Sequence, residues 1–248
     1  STPTGSGKSL VALGLHFRAL CEGRRSFYTA PTKALVSEKF FSLCDEFGAE
    51  SVGMLTGDAS INWGAPIICC TAEVLANMAL QQGEALDAPH VVMDEFHYYG
   101  DRDRGVAWQI PLLVLKHTQF LLMSATLGNT ARIEEGLRDL SGRRVVRVHD
   151  DVRPVPLDYA YFDTPIGETI ESLLRQGRDP IYVVHFTQRE ATEKAQALCS
   201  TRFGSRETQK RIAKKLATVR FDTPFGPSVR RILRNGIGLH HAGLLPRY

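Results

Sequence analysis

Thr4-Gly5-Ser6-Gly7-Lys8-Ser9 stands directly before a predicted helix over Lys8–Glu22. Glycines at 5 and 7 let the backbone curl until successive N–H groups converge on one anion. The helix beginning near Lys8 aims the positive end of its dipole at the same place. In such a loop Lys8 reaches the β- and γ-phosphates of a nucleotide, and the Ser9 hydroxyl ligands Mg2+. The expected phosphate-binding residues are Thr4, Gly5, Ser6, Gly7, Lys8 and Ser9. The strict pattern carries a glycine where Thr2 stands, so a chance glycine turn before a helix is the alternative.

A second stretch, Val91-Val92-Met93-Asp94-Glu95-Phe96-His97, argues against chance. An apolar strand ending in two adjacent acids is what a phosphate loop needs beside it. Asp94 would hold Mg2+ through water, and Glu95 would orient and polarise the attacking water. The plain alternative is that the two acids cap a following helix.

Outward from these stretches, apolar β-branched runs alternate with amphipathic helical patterns. Predicted strands are Ser26–Ala30, Ser51–Leu55, Pro66–Cys70, His90–Asp94, Phe120–Ser124, Val145–Val148, Leu157–Phe162 and Pro180–His185. Predicted helices are Lys8–Glu22, Thr32–Phe47, Ala72–Gln82, Arg104–Leu115, Thr130–Leu140, Gly167–Gln176, Arg189–Cys199, Arg206–Arg220 and Ser228–Arg234. Such alternation predicts an α/β protein with parallel sheets. The polar segment His149–Pro156, with prolines at 154 and 156, reads as a linker. It divides the chain into 1–150, a nearly complete domain missing its first strand, and 151–248, the N-terminal part of a second.

The 248 residues are 43% hydrophobic and 23% charged, an ordinary globular balance, and no apolar run reaches membrane-spanning length. Five scattered cysteines without a CxxC pair point to a reducing compartment, the cytoplasm, rather than to disulfides or zinc. Adjacent His240 and His241 lack a third metal ligand at useful spacing, and Cys69-Cys70 reads as core packing. A net charge of +3 decides little. Between Arg202 and Arg234, however, ten bases face only Glu207 and Asp222. That stretch either tracks a phosphate backbone or forms a solvated helical face.

Asp94-Glu95-Phe96-His97 also spells DExH, and with the phosphate loop the whole chain resembles a superfamily-two DExH-box helicase. Ser124-Ala125-Thr126 matches that family's SAT motif, which the resemblance implies couples nucleotide turnover to nucleic-acid binding. Pro31-Thr32-Lys33-Ala34-Leu35, Thr56-Gly57-Asp58 and Thr71-Ala72-Glu73-Val74-Leu75 resemble its nucleic-acid motifs. They imply phosphate contacts at Pro31, Thr32, Lys33, Thr56, Gly57 and Thr71. Thr32 and Thr71 can equally cap helices, and the two roles are compatible. Phe186-Thr187-Gln188-Arg189 resembles a further motif, with Thr187 either on a phosphate or, slightly favoured, a helix cap. His97 joins Lys8, Asp94 and Glu95 as an implied catalytic residue that links hydrolysis to the second domain; a structural histidine is the alternative.

Asp101-Arg102-Asp103-Arg104-Gly105 with Trp108, Arg153–Leu157 and Gly236–Pro246 are similar to the superkiller-type branch, in an actinobacterial-like form. The resemblance implies two RecA-like domains, with ATP and Mg2+ as cofactors. It also implies an ATP-driven helicase gripping nucleic acid through phosphates, RNA ahead of DNA, with no membrane role. Nuclease partners fit the branch without being readable in the residues. A DNA helicase and a non-catalytic scaffold are the rival readings. The family's next motifs, including its arginine-rich one, should follow Tyr248, so the chain is expected to be a fragment with weak turnover of its own.

Overall fold

The computed structural model describes residues 5, 7–150, 152–201, 203, 205–241 and 244. It divides into two compact units, Ser1–Asp158 and Tyr159–Tyr248.

The first unit is built on one six-stranded sheet. In chain order its elements are α1 (Lys8–Cys21), β1 (Ser26–Ala30), α2 (Lys33–Phe47), β2 (Val52–Leu55), β3 (Ser60–Ile61), β4 (Ile67–Thr71), α3 (Ala72–Gln82), β5 (His90–Met93), α4 (Gly105–Val114), β6 (Gln119–Leu122) and α5 (Ala131–Ser141). The strands lie in the order β3-β2-β4-β1-β5-β6. All pairings are parallel except β2 with β3.

Burial explains why the central strands are near-continuous apolar runs. Every residue of β1, β4 and β5 is buried, because helices cover both faces of the sheet. Side chains alternate between two cores. Phe27, Ile68, Cys70, Val91 and Met93 pack with α3 and α4, whereas Tyr28, Ile67, Cys69 and Val92 pack with α1 and α2. Ends of elements follow local chemistry. Thr32 Oγ1 accepts from the Leu35 N–H at 3.3 Å and starts α2. Gly48 stops the same helix at a φ of 85°, where an L side chain would be strained.

One buried polar contact makes stability depend on pH. His16 of α1 is fully buried, with Nδ1 2.8 Å from Ser26 Oγ. Burial first, then the neighbouring His90, holds its pKa down to about 4 from an ordinary 6.5. Between those values the unfolded chain binds a proton that the folded chain refuses. Its contribution is therefore complete above about 6.5 and is lost as pH falls toward 4. The loss is on the order of 3 kcal/mol. Urea midpoints from pH 7 to 4 should fall more steeply for the natural protein than for His16→Gln. Parallel curves would refute this origin of the pH dependence.

The second unit differs from the sequence expectation. Its elements are α6 (Ile166–Arg175), α7 (Gln188–Leu198), α8 (Arg206–Leu216) and α9 (Gly226–Arg234), with no strand among its described residues. The expected strands Leu157–Phe162 and Pro180–His185 stay unpaired, with Tyr161, Tyr182 and Phe186 largely exposed. Val145–Val148 in the first unit likewise forms no strand. β-Branched runs become strands only where a neighbouring strand takes their N–H and C=O groups in a ladder, and among the described residues these runs join none. The expected parallel sheets are thus one mixed, mostly parallel sheet. No helix among the described residues is long and apolar enough to cross a membrane.

Candidate functional site

The residues singled out in the first unit gather where β1, β4, β5 and β6 end in the same direction. Backbone hydrogen bonds continue the ladder past the strands. The Asp94 N–H donates to Thr29 O at 2.9 Å, Met123 N–H to Met93 O at 2.9 Å, and Phe96 N–H to Met123 O at 2.9 Å. Asp94-Glu95 and Ser124-Ala125-Thr126 are thereby fixed side by side.

Both carboxylate oxygens of Asp94 are held. Oδ1 accepts from the Glu95 N–H at 2.9 Å, and Oδ2 accepts from the Tyr28 hydroxyl. Tyr28 lies opposite Val92 in the β1–β5 register, so its side chain shares the face of Asp94, two residues further on. Burial, then the charge of Asp94, pushes its phenol well above the ordinary value, which keeps it a neutral donor. On sequence alone Tyr28 reads as core. The available signal is a single hydroxyl-bearing ring in a fully buried strand beside the acids.

Glu95 has a φ of 52°, in the left-handed region that residues other than glycine seldom occupy. Strain of this kind is retained where the surroundings over-determine the backbone, as the Phe96–Met123 bond does here. The turn carries the Glu95 carboxylate to 3.3 Å from His97 Nδ1, which is itself 3.4 Å from Ser124 Oγ. Ser124 is buried, and its hydroxyl also accepts from the Thr126 N–H at 3.3 Å. Glu95, His97 and Ser124 therefore form one contiguous polar chain, with Ala125 within the turn that closes it.

Gly7 caps α1 with a φ of 86°, and Gly5 has the same φ. Lys8 and the exposed Ser9 open the helix, with Ser9 Oγ 3.4 Å from Lys39 Nζ. Thr4 and Ser6, also expected in this loop, lie outside the described residues. Ser9 and Asp94 offer hard oxygen donors, the type Mg2+ takes in ones and twos beside phosphate and water, so these residues fit that ion. A cavity of about 620 Å3 runs along β6, lined by Lys8 and Ser124 but mainly by aliphatic groups such as Leu122, Ile133, Leu137 and Val146. Such walls suit an apolar occupant rather than a triphosphate.

The expected nucleic-acid residues divide into two groups. Pro31, Thr32 and Lys33 follow β1, and Thr71 ends β4 without using its side chain as a cap. Thr56 and Gly57 sit in a tight turn after β2, where the Thr56 N–H donates to Ala59 O at 2.8 Å. Lys33 Nζ bonds Asp58 at 2.8 Å and, as the largest cause, holds that carboxyl below its usual range. Thr187 belongs to the second unit. It caps α7, with Oγ1 accepting from the Glu190 N–H at 3.1 Å.

The family profile described as DEAD/DEAH box helicase matches residues 1–133. The chain is 38% identical over 172 residues to the chloroplastic DExH-box ATP-dependent RNA helicase DExH15 of Arabidopsis thaliana, covering 66% of this chain and 14% of that protein. It is 40% identical over 177 residues to the probable helicase HelY of Mycobacterium tuberculosis, covering 67% and 19%. The ATP-dependent RNA helicase mtr4 of Schizosaccharomyces pombe matches at 26% identity over 99% of this chain and 28% of its own length. The chain thus spans less than a third of each of these relatives.

Proposed function

This chain belongs to the DEAD/DEAH box helicase family, and from that premise we propose that it forms the nucleotide-binding part of an ATP-driven motor on nucleic acid, with RNA preferred to DNA. The observation that carries the proposal is the fixed acidic pair. Asp94 is held through both oxygens, and Glu95 is turned by a left-handed backbone onto His97 and, through it, Ser124. A hydrolytic centre needs this kind of preorganisation, because groups already in place cost no reorganisation in the transition state.

In this reading the amides of the Gly5–Ser9 loop and Lys8 bind the ATP phosphates. Ser9 and Asp94 would hold Mg2+, which would supply neutralisation of the charge that develops on the phosphates. Glu95 accepts the proton of the attacking water, and His97 with Ser124 carries the state of that site toward Thr126. Pro31–Lys33, Thr56, Gly57 and Thr71 meet phosphates at strand and helix ends, which gives grip without reading bases. Lys33 would have to exchange Asp58 for a phosphate on binding.

Two relatives are named RNA helicases, which supports the RNA preference. That the mtr4 match continues through the second unit supports reading residues 151–248 as part of the second motor domain. A reducing, cytoplasmic location belongs to the same proposal. Cys69 and Cys70 are buried thiols on β4, and burial pushes Cys69 up to about 12.

Strand displacement tests the substrate class. The polypeptide as its gene encodes it, given ATP, should release the labelled strand of a tailed RNA duplex faster than that of the matching DNA duplex. Faster release from DNA would overturn the RNA assignment. Release from neither would overturn the unwinding activity.

A further inference from the structure

The segment Asp101-Arg102-Asp103-Arg104-Gly105 follows the acidic pair closely and has no part in the chemistry above. Its local geometry is closely determined. Asp101 Oδ1 accepts from the Asp103 N–H at 3.0 Å and the Arg104 N–H at 2.8 Å, while Asp101 O accepts from the Gly105 N–H at 3.0 Å. A Cβ on Gly105 would come within 2.5 Å of Tyr99 O, so only glycine lets the turn press against the Phe96–Gly100 segment. The turn delivers one side chain, Arg104, from the start of α4 toward the ends of β1 and β4.

Arg104 touches three separate segments there. Its Nε and Nη2 donate to Glu73 Oε1 at 3.0 and 2.5 Å, in the first turn of α3. Nη2 also donates to the carbonyl of Pro31, at the start of the Pro31–Lys33 segment. The guanidinium carbon lies 5.5 Å from the ring centre of Tyr98 and 5.8 Å from that of Trp108. Tyr98 in turn packs on His97, ring centres 4.8 Å apart, and His97 reaches Glu95. One planar, multiply donating cation therefore contacts two of the segments assigned to phosphate contact and the ring beside the hydrolytic centre. The shape of the task explains the residue type. A lysine could neutralise Glu73, but it has no fork to serve a carboxylate and a carbonyl together and no plane to lie against rings.

We propose that Arg104 is a positioning residue that couples nucleic-acid binding to ATP turnover, by tying the Pro31–Lys33 and Thr71–Glu73 loops to Tyr98 and, through it, to His97 and Glu95. The inference rests on the function proposed above. A bound strand fixes the two loops; Arg104 carries that constraint to the turn that aims Glu95.

The test is steady-state ATPase of the encoded polypeptide, without polymer, with single-stranded RNA and with single-stranded DNA, for the natural protein, Arg104→Lys, Arg104→Met and Glu73→Gln. Glu73 is partly exposed, so its substitution reaches the contact from a side the fold does not depend on. The RNA-stimulated maximum should fall about tenfold in all three, an ordinary coupling magnitude, with the basal rate and the half-saturating RNA concentration unchanged within about threefold. The double variant Arg104→Met with Glu73→Gln should be no worse than Arg104→Met alone, because both remove one contact. Equal loss of basal and stimulated rates would make Arg104 a structural clamp and overturn the proposal. A raised half-saturating concentration with a full maximum would make Arg104 a binding residue and overturn the proposal equally. If RNA and DNA both leave the natural protein's rate unchanged, the motor reading itself fails, which these variants cannot mimic.

Discussion

Glu95→Gln should lower steady-state ATP turnover by about 10²–10⁴-fold, the usual worth of a positioned general base. The nucleotide dissociation constant should stay within about threefold, since the substitution removes no phosphate contact assigned above. Glutamine keeps the length and planarity of the side chain, so the left-handed backbone at a φ of 52° carries no new Cβ or branch. The amide can still meet His97 Nδ1, now 3.3 Å from a carboxylate oxygen, but it has no capacity to accept the water's proton. A fluorescent nucleotide titration beside a phosphate-release assay separates the two quantities. Unchanged turnover would remove Glu95 from the chemistry. Turnover and binding falling together would indicate a distorted site instead.

Trp108→Ala is the substitution expected to cost the first unit most stability, about 3–5 kcal/mol. Trp108 is fully buried beneath α3 and stacks on Tyr98 at 5.4 Å between ring centres. It packs in the same core as Leu75, Phe96 and Leu112, and alanine would leave a cavity where an indole stood. The variant keeps Trp63, which is 71% exposed, as its one tryptophan. Urea unfolding is best followed by far-ultraviolet circular dichroism together with Trp63 emission, because a chain of two units need not unfold in one step. A midpoint shift worth less than about 1 kcal/mol would mean the core collapses around the gap more completely than usual. Trp108→Phe should fall between the two, and its Tyr98 contact would show how much of the ring stack survives.

The same segment shows how far sequence can be read. Asp101–Gly105 and Trp108 are recognisable as a signature, but nothing in their spacing says that Arg104 turns back to Pro31 and Glu73, 73 and 31 residues away along the chain. Contacts of that range depend on strand order, which sequence periodicity does not encode. Tyr28 escapes notice for the same reason: its neighbour Asp94 comes from a strand that only the sheet register places beside it.

What is legible is what burial writes locally. β1, β4 and β5 are covered on both faces, so their apolar runs stand out, and their predicted limits differ from the observed ones by a residue at most. β3 has two residues, both exposed, and leaves no pattern to find. Conversely, Leu157–Phe162 and Pro180–His185 carry the composition of strands without partners among the described residues. Composition reports a capacity to be buried; pairing requires a neighbour. The polar chain Glu95–His97–Ser124 is half legible, as two motifs whose adjacency comes from the continued ladder at Phe96 and Met123.

The proposed motor depends on hydrolysis of ATP at this site in response to nucleic acid. Steady-state phosphate release by the encoded polypeptide tests it, measured without polymer, with single-stranded RNA and with single-stranded DNA, each beside Glu95→Gln. RNA should raise the rate above the polymer-free level, and more than DNA does, and Glu95→Gln should abolish it. A rate indifferent to both polymers, or one that survives Glu95→Gln, would contradict the motor.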